Sequence, residues 1–244
     1  ETINYISAHD NETLYDKLAW ALPANTSLAQ RVRANNLALD VVMLAQGIPF
    51  FHAGDDILRS KSLDRDSYNS GDWFNVLDFS YTENGWGRGL PPSIKDRWAA
   101  AKPVLANAAI RPTSAAIKSA NAHFREMLQV RKSSPLFRLG SADEVLKRVS
   151  FLNQGAGQKP GLIVMVMDGA GRADVKEDKI VVIINASPSP QTFAADGFKN
   201  GAFALHPVLQ KSADAVVRSS AYNAQAGAFS VPGRTTAVFV LGKK

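Results

Sequence analysis

Four polar residues stand in a row near the start of this sequence. His9, Asp10, Asn11 and Glu12 follow the apolar Ile3, Tyr5 and Ile6 in "NYISAHDNETLYD". An acid beside an imidazole and an amide suits the binding of a sugar ring. The carboxylate can accept hydrogen bonds from two neighbouring hydroxyls, and it can stabilise the positive charge that develops at an anomeric carbon. The same letters also read as a helix start, with Asp10 or Asn11 capping the turn that follows. A second cluster follows a second apolar run. "GIPFFHAGDDILRSKSLDRDSYNSGDWFN" passes from a bulky strand through a glycine stop into a loop dense in Asp, Arg, Asn, Tyr and Trp. Aromatic faces stack on sugar rings, while Asp and Arg grip hydroxyls through paired hydrogen bonds. Taken singly, Trp73, Phe74 and Trp86 read as aromatics that pack the loop.

The elements that must position these residues change character near residue 135. Before it, strand-like and helix-like patterns alternate. Ile3–Ala8 reads as a strand, and "IPFFHAG" as a second one. Between them Asn25-Thr26-Ser27 is a capping cluster, and Leu28, Val32, Leu39 and Val42 share one face of a helix that Gly47 and Pro49 end. Residues 55–92 show no sustained period and read as a long functional loop. Ser93–Ile110 and Ser114–Ser133 read as helices, the first kinked at Pro103. After Pro135 come short β-rich runs, "EVLKRVSFLN", "GLIVMVMDG", "KIVVIINAS", "GAFALHPV" and "TTAVFVLG", separated by Gly, Pro, Asn and Asp. That spacing predicts an antiparallel β-sandwich.

Two strand–helix units cannot close a barrel, which takes eight. The first part is therefore either a small open α/β fold or the end of a barrel. In a parallel barrel the working residues project from the C-terminal ends of the strands, which would put His9 and Asp10 on that rim. The sequence opens at Glu1, without Met and one residue before an apolar strand, as expected of a piece of a longer polypeptide.

Other polar residues carry a plainer reading. Asp55 and Asp56 cap the next turn. His52 reads as a hydrogen-bonded core residue, and His123 and His206 as structural. Asp64, Asp66 and Asp72 would suggest calcium, but they lack the spacing of an EF-hand loop. No grouping has metal-ligand spacing, so no cofactor or metal is expected, calcium being the one cation the acidic loop could attract.

With 244 residues, 45% of them hydrophobic, the chain can bury a substantial core and form two domains. No apolar run approaches a membrane span. Cysteine is absent, which excludes disulfides and thiolate chemistry. The formal charge is +6, with the basic excess after residue 134. Because the basic residues are scattered singly, without interleaved aromatics, nucleic acid is not an expected partner.

"NYISAHDNETLYDKL", "GIPFFHAGDDILRSKSLDRDSYNSGDWFN" and "ENGWGRGLPP" together resemble the C-terminal portion of type I pullulanases and limit dextrinases, debranching members of the α-amylase superfamily. The resemblance covers the whole chain. It implies an α/β plus all-β chain: residues 1–134 as the last two βα units of a (β/α)8 TIM barrel, and residues 135–244 as a C-terminal antiparallel β-sandwich. It implies hydrolysis of α-1,6 branch points with retention. Asp10 would be the third catalytic carboxylate, binding hydroxyls of the glucose at the cleaved bond, and His9 would hydrogen-bond the same glucose. Asn11 would line the site. Arg65, Asp66, Tyr68 and Asn69 would shape the groove, Asp72 would grip the neighbouring glucose, and Trp73 would add to the binding surface. Val76 departs from the family, which often has Arg there, so the neighbouring subsite would be weaker or built differently. The nucleophile and general acid belong to earlier strands, in a missing N-terminal part of the same polypeptide, so the chain alone is expected to be inactive. The implied partner is a branched α-glucan, such as pullulan, limit dextrin, amylopectin or glycogen, and the implied home is secreted or periplasmic in a bacterium. A non-catalytic carbohydrate-binding module that uses the aromatic loop as its platform is the rival reading.

Overall fold

A computed structural model describes residues 2–243; Glu1, at which the sequence opens, lies outside them. The chain divides into two compact units, Glu1–Val42 with Ile48–Phe124, and Met43–Gly47 with Arg125–Lys244.

In the first unit, strand β1 (Ile3–Asn4) pairs in parallel with β2 (Ile48–Pro49), in the register Ile3 to Ile48. Both expected strands are thus only two residues long. Two strands without further neighbours are marginal, and Pro49 has no N–H to donate. Ile3, Tyr5, Ile48 and Phe50 remain more than half exposed. Helix α1 (Leu14–Ala21) starts at Thr13, whose hydroxyl accepts from the Asp16 N–H. The cap is therefore Thr13 and neither Asp10 nor Asn11, which leaves those two side chains free of that duty. Helix α2 (Leu28–Leu44) buries Val32, Leu39 and Val42 as the periodicity predicts.

Residues 55–92 are built of short 3-10 turns, at Asp55–Ile57, Ser67–Asn69 and Asp72–Phe74. The long loop sends Leu58, Leu63 and Trp86 into the core beside Tyr15, Ile94, Ile110 and Ile117. The Tyr15 and Trp86 rings meet edge to face at 5.8 Å, and the Tyr15 hydroxyl donates to the Ile110 carbonyl. The expected helix over Ser93–Ile110 is broken differently from the expectation. A 3-10 turn covers Pro92–Arg97, with non-helical dihedrals at Ile94, before α3 (Trp98–Leu105) carries Pro103 inside it. Helix α4 (Ser114–Ser133) follows.

The second unit opens its β region with a helix where a strand was expected. Ser141 accepts from the Glu144 N–H at 3.3 Å and starts α5 (Ala142–Arg148); only β3 (Val149–Phe151) is extended. Then come β4 (Leu162–Asp168), β5 (Glu177–Asn185), β6 (Gln191–Ala194), β7 (Ala204–Leu205), α6 (Pro207–Gln210), α7 (Ala215–Arg218), β8 (Ala221–Asn223), β9 (Ala228–Val231) and β10 (Thr235–Gly242). They form two antiparallel sheets, in the orders β3-β4-β5-β10-β7 and β6-β9-β8. The long apolar runs β4, β5 and β10 lie adjacent, so Ile180 to Ile184 and Ala237 to Phe239 are buried almost without interruption. Phe229 of β9 and Phe239 of β10 bring the two sheets together at 4.9 Å, with Phe198, Phe203 and Tyr222 packed around Phe229.

Candidate functional site

Beyond β1 and β2 the chain is pinned rather than extended. The Ser7 hydroxyl donates to the Asp55 carboxylate at 2.6 Å, across the two post-strand segments. Burial pushes the Asp55 carboxyl up to about 6, against the opposing pull of the Ser7 hydrogen bond. The Asn121 amide donates to Asp56 at 2.7 Å. The expectation that these two acids cap the next turn is therefore corrected: Gly54 occupies the cap position with no side-chain bond, and the acids anchor neighbouring segments. His52 sits just past β2, its Nε2 3.2 Å from Nη1 of Arg59; burial, helped by Arg59, pulls its pKa down to about 4. His123 lies against Asp40 at 2.9 Å, and His206 caps α6, so both are structural.

His9, Asp10 and Asn11 emerge on the surface after this anchor. The Asp10 side chain is 79% exposed, with one carboxylate oxygen 3.6 Å from Nε2 of His9. Asn11 takes a left-handed conformation, φ 62°, which Asn tolerates better than most residues. Its N–H donates to the Arg65 carbonyl at 2.9 Å, joining the first cluster to the second. Glu12 turns inward: its carboxylate is 3.3 Å from Nη1 of Arg97 and 3.8 Å from Nε of Arg65.

Two buried charges lie under these loops. Asp16 accepts from the Ser60 hydroxyl at 2.5 Å, the Lys61 N–H at 2.8 Å and the Leu63 N–H at 3.1 Å. Burial nevertheless raises its pKa to about 6. The Lys61 ammonium donates to the carbonyls of His9 and Asn11, both at 3.0 Å, and to the Ser67 hydroxyl at 3.1 Å.

The result is an open cleft of about 500 Å³, lined by Asp10, Asn11, Arg65, Asp66, Ser93, Ile94, Asp96 and Arg97. Carboxylates and guanidinium groups both line it, a mixture that can bind neutral polyhydroxyl groups by accepting and donating at once. The structure brings Asp10, Asn11, Arg65 and Asp66 into this one cleft. Tyr68, Asn69, Asp72 and Trp73 do not line it; they project from the adjoining 3-10 turns, Tyr68 at 88% and Trp73 at 61% exposure. The Trp73 indole N–H donates to the Arg88 carbonyl at 2.8 Å, and the Arg88 guanidinium lies 5.4 Å from the ring centre. Trp86 and Phe74 are buried, as loop-packing aromatics should be. Among the described residues no three His, Asp or Glu side chains gather as a metal-holding group.

Sequence reasoning missed Glu12, Lys61, Ser93, Asp96 and Arg97. The last three fall in the stretch expected to be one helix, where a 3-10 turn with non-helical dihedrals at Ile94 stands instead.

Comparison with known proteins adds a family to this geometry. The family model described as "Alpha-1,6-glucosidases, pullulanase-type, C-terminal" matches residues 81–242. Pullulanase 1, chloroplastic, of Arabidopsis thaliana is 49% identical over 98% of this chain and 26% of its own length. The pullulanase of Klebsiella pneumoniae is 37% identical over 99% of this chain and 22% of its own. The crystal structure of a maltotriose complex of PulA from Klebsiella pneumoniae superposes with a TM-score of 0.88 at 37% identity, covering 99% of this chain and 26% of that one. The chain thus spans about a quarter of the length of the relatives it matches.

Proposed function

The chain belongs to the pullulanase-type alpha-1,6-glucosidases, and from that membership we propose that it forms the C-terminal portion of a debranching glycoside hydrolase. Residues 1–134 would be the last two βα units of a (β/α)8 barrel. The parallel pairing of β1 with β2, and the apolar residues those strands leave exposed, support this. Residues 135–244 would be an antiparallel β-sandwich, supported by the two sheets that meet at Phe229 and Phe239.

In the reaction, Asp10 would bind hydroxyls of the glucose at the cleaved bond and help to distort its ring. Its negative charge would stabilise the oxocarbenium-like transition state. His9 would hydrogen-bond the same sugar. Asn11, Arg65 and Asp66 would line the groove, and Tyr68, Asn69, Asp72 and Trp73 would extend it along the glucan. The nucleophile and general acid of a retaining reaction would stand on the part of the relatives' length that this chain does not span. The chemistry draws on carboxylates and calls for no cofactor. The substrate would be a branched α-glucan such as pullulan, limit dextrin, amylopectin or glycogen. A polymer of that size favours a secreted or periplasmic home in a bacterium, although the relative with 49% identity is named as chloroplastic. Among the described residues no helix is long and apolar enough to cross a membrane.

The observation that carries the reading is the convergence of Asp10, Arg65 and Asp66 on one open cleft. In the natural protein that carries this chain, Asp10→Asn should lower kcat on pullulan by about 100- to 1000-fold. The purified 244-residue chain should not cleave pullulan at all. Turnover by that chain, or an Asp10→Asn protein of unchanged kcat, would overturn the proposal.

A further inference from the structure

Lys61 is 1% exposed, and an ammonium held there costs free energy unless every donor is used. An ammonium has three N–H donors. Here they go to the His9 carbonyl, the Asn11 carbonyl and the Ser67 hydroxyl. Two of the three acceptors are therefore the carbonyls on either side of Asp10. The third belongs to the turn that carries Tyr68 and Asn69. Lys61 is itself fixed from behind, because its backbone N–H donates to the Asp16 carboxylate at 2.8 Å. Burial pulls the ammonium's pKa down, with Asp64 opposing most strongly and Asp16 and Asp10 adding to that opposition.

Among the described residues, Asp10 makes no comparable side-chain contacts; beside the 3.6 Å approach to His9, its side chain is largely exposed. Its aim must come from its backbone, and its backbone is held through its two neighbours. On the far side, the Asn11 N–H is fixed to the Arg65 carbonyl. We infer that Lys61 is a positioning residue: it grips the carbonyls flanking Asp10, aims that carboxylate into the cleft, and ties the Tyr68–Asn69 turn to the same point. The inference rests on the reading of Asp10 given above, since a carboxylate with no sugar to meet would need no aim.

The test is a mutant cycle in the natural protein that carries this chain, with pullulan as substrate. Lys61→Met keeps the length and removes the charge and its donors. It should lower kcat by about 10- to 100-fold, the scale of a misplacement near 1 Å, with KM changed by no more than about threefold. In an Asp10→Asn background the same substitution should cost less than about threefold, because the group it aims is already gone. A purely structural lysine would cost the same factor in both backgrounds, and that outcome overturns the inference. An unchanged kcat in Lys61→Met also overturns it. Should Lys61→Met fail to fold, Lys61→Gln is carried through the same cycle with the same expectations. An Asp10→Asn protein of unchanged kcat would instead sink the reading of Asp10 itself, so the two failures are told apart.

Discussion

The carboxylate of Glu12 lies 3.3 Å from Nη1 of Arg97, although 85 residues separate them in the chain. Glu12 is buried and Arg97 is half-buried at the edge of the cleft, with its guanidinium 5.1 Å from the Trp20 ring centre. Arg65 reaches the same Glu12 oxygen at 3.8 Å. One buried acid therefore draws together two cationic side chains that line the cleft.

Glu12→Gln keeps the shape and removes the charge, so both arginines lose their common anchor. If the proposed glucan site holds, the variant should bind a short α-glucan such as maltotriose more weakly than the natural protein, by about 3- to 10-fold, in line with the loss of about 1 kcal/mol of charge-assisted hydrogen bonding. Titration calorimetry on the wild type and the variant measures this. Equal affinities would mean that the arginines find their places without Glu12.

Gly85 tests how tightly the long loop is packed under the site. Its φ is +90°, and a Cβ added there would lie 2.3 Å from the Ser60 carbonyl oxygen. Ser60 adjoins Lys61, and its N–H donates to the Asn84 carbonyl at 2.7 Å. Gly85→Ala would combine left-handed strain of about 1–2 kcal/mol with an overpacking cost of about 1–3 kcal/mol. Gly155 has φ +79° but open space around it, so Gly155→Ala should cost only the strain. Urea unfolding of the two variants should separate them by at least about 1 kcal/mol, with Gly85→Ala the weaker.

How far the sequence speaks for this fold depends on how local the determinant is. Helices α2 and α4 are legible because their apolar residues recur at helical spacing, and β4, β5 and β10 because each holds an uninterrupted run of five or six apolar residues. Helix α5 hides in an apolar-rich stretch, yet Ser141 and Glu144 carry the spacing of a capping box that would have revealed it. Strands β6, β8 and β9 are three or four residues long and are defined by pairing across the chain rather than by pattern. Residue type alone points to Asp10, Asn11, Arg65 and Asp66, which line the candidate cleft, and to His9 beside them, which does not. The supports beneath them cannot be read this way. Nothing in "RSKSLD" says that Lys61 is buried, because its two carbonyl partners lie 52 and 50 residues away. Ser93, Asp96 and Arg97 line the cleft from a 3-10 turn with non-helical dihedrals at Ile94, a feature with no local spelling.

The buried acids and His52 make stability depend on pH in opposite senses. Asp16 rises from an ordinary 3.8 to about 6 through burial, and Asp55 does the same. Between those values the folded chain keeps a proton that the unfolded chain has released, so each acid lowers stability as pH climbs from about 4 to 6. His52 falls from 6.5 to about 4, through burial and then Arg59. There the unfolded chain binds a proton that the folded chain refuses, so His52 raises stability as pH climbs from about 4 to 6.5. Urea unfolding at pH 4, 5, 6 and 7 separates the two. Whatever Asp16→Asn costs at pH 4, wild type should lose on the order of 3 kcal/mol relative to that variant by pH 7. Relative to His52→Gln, wild type should gain over the same range, by a smaller amount because the ring is half exposed and solvent screens it. If the two difference curves ran parallel, burial would not be what sets the charge states of Asp16 and His52.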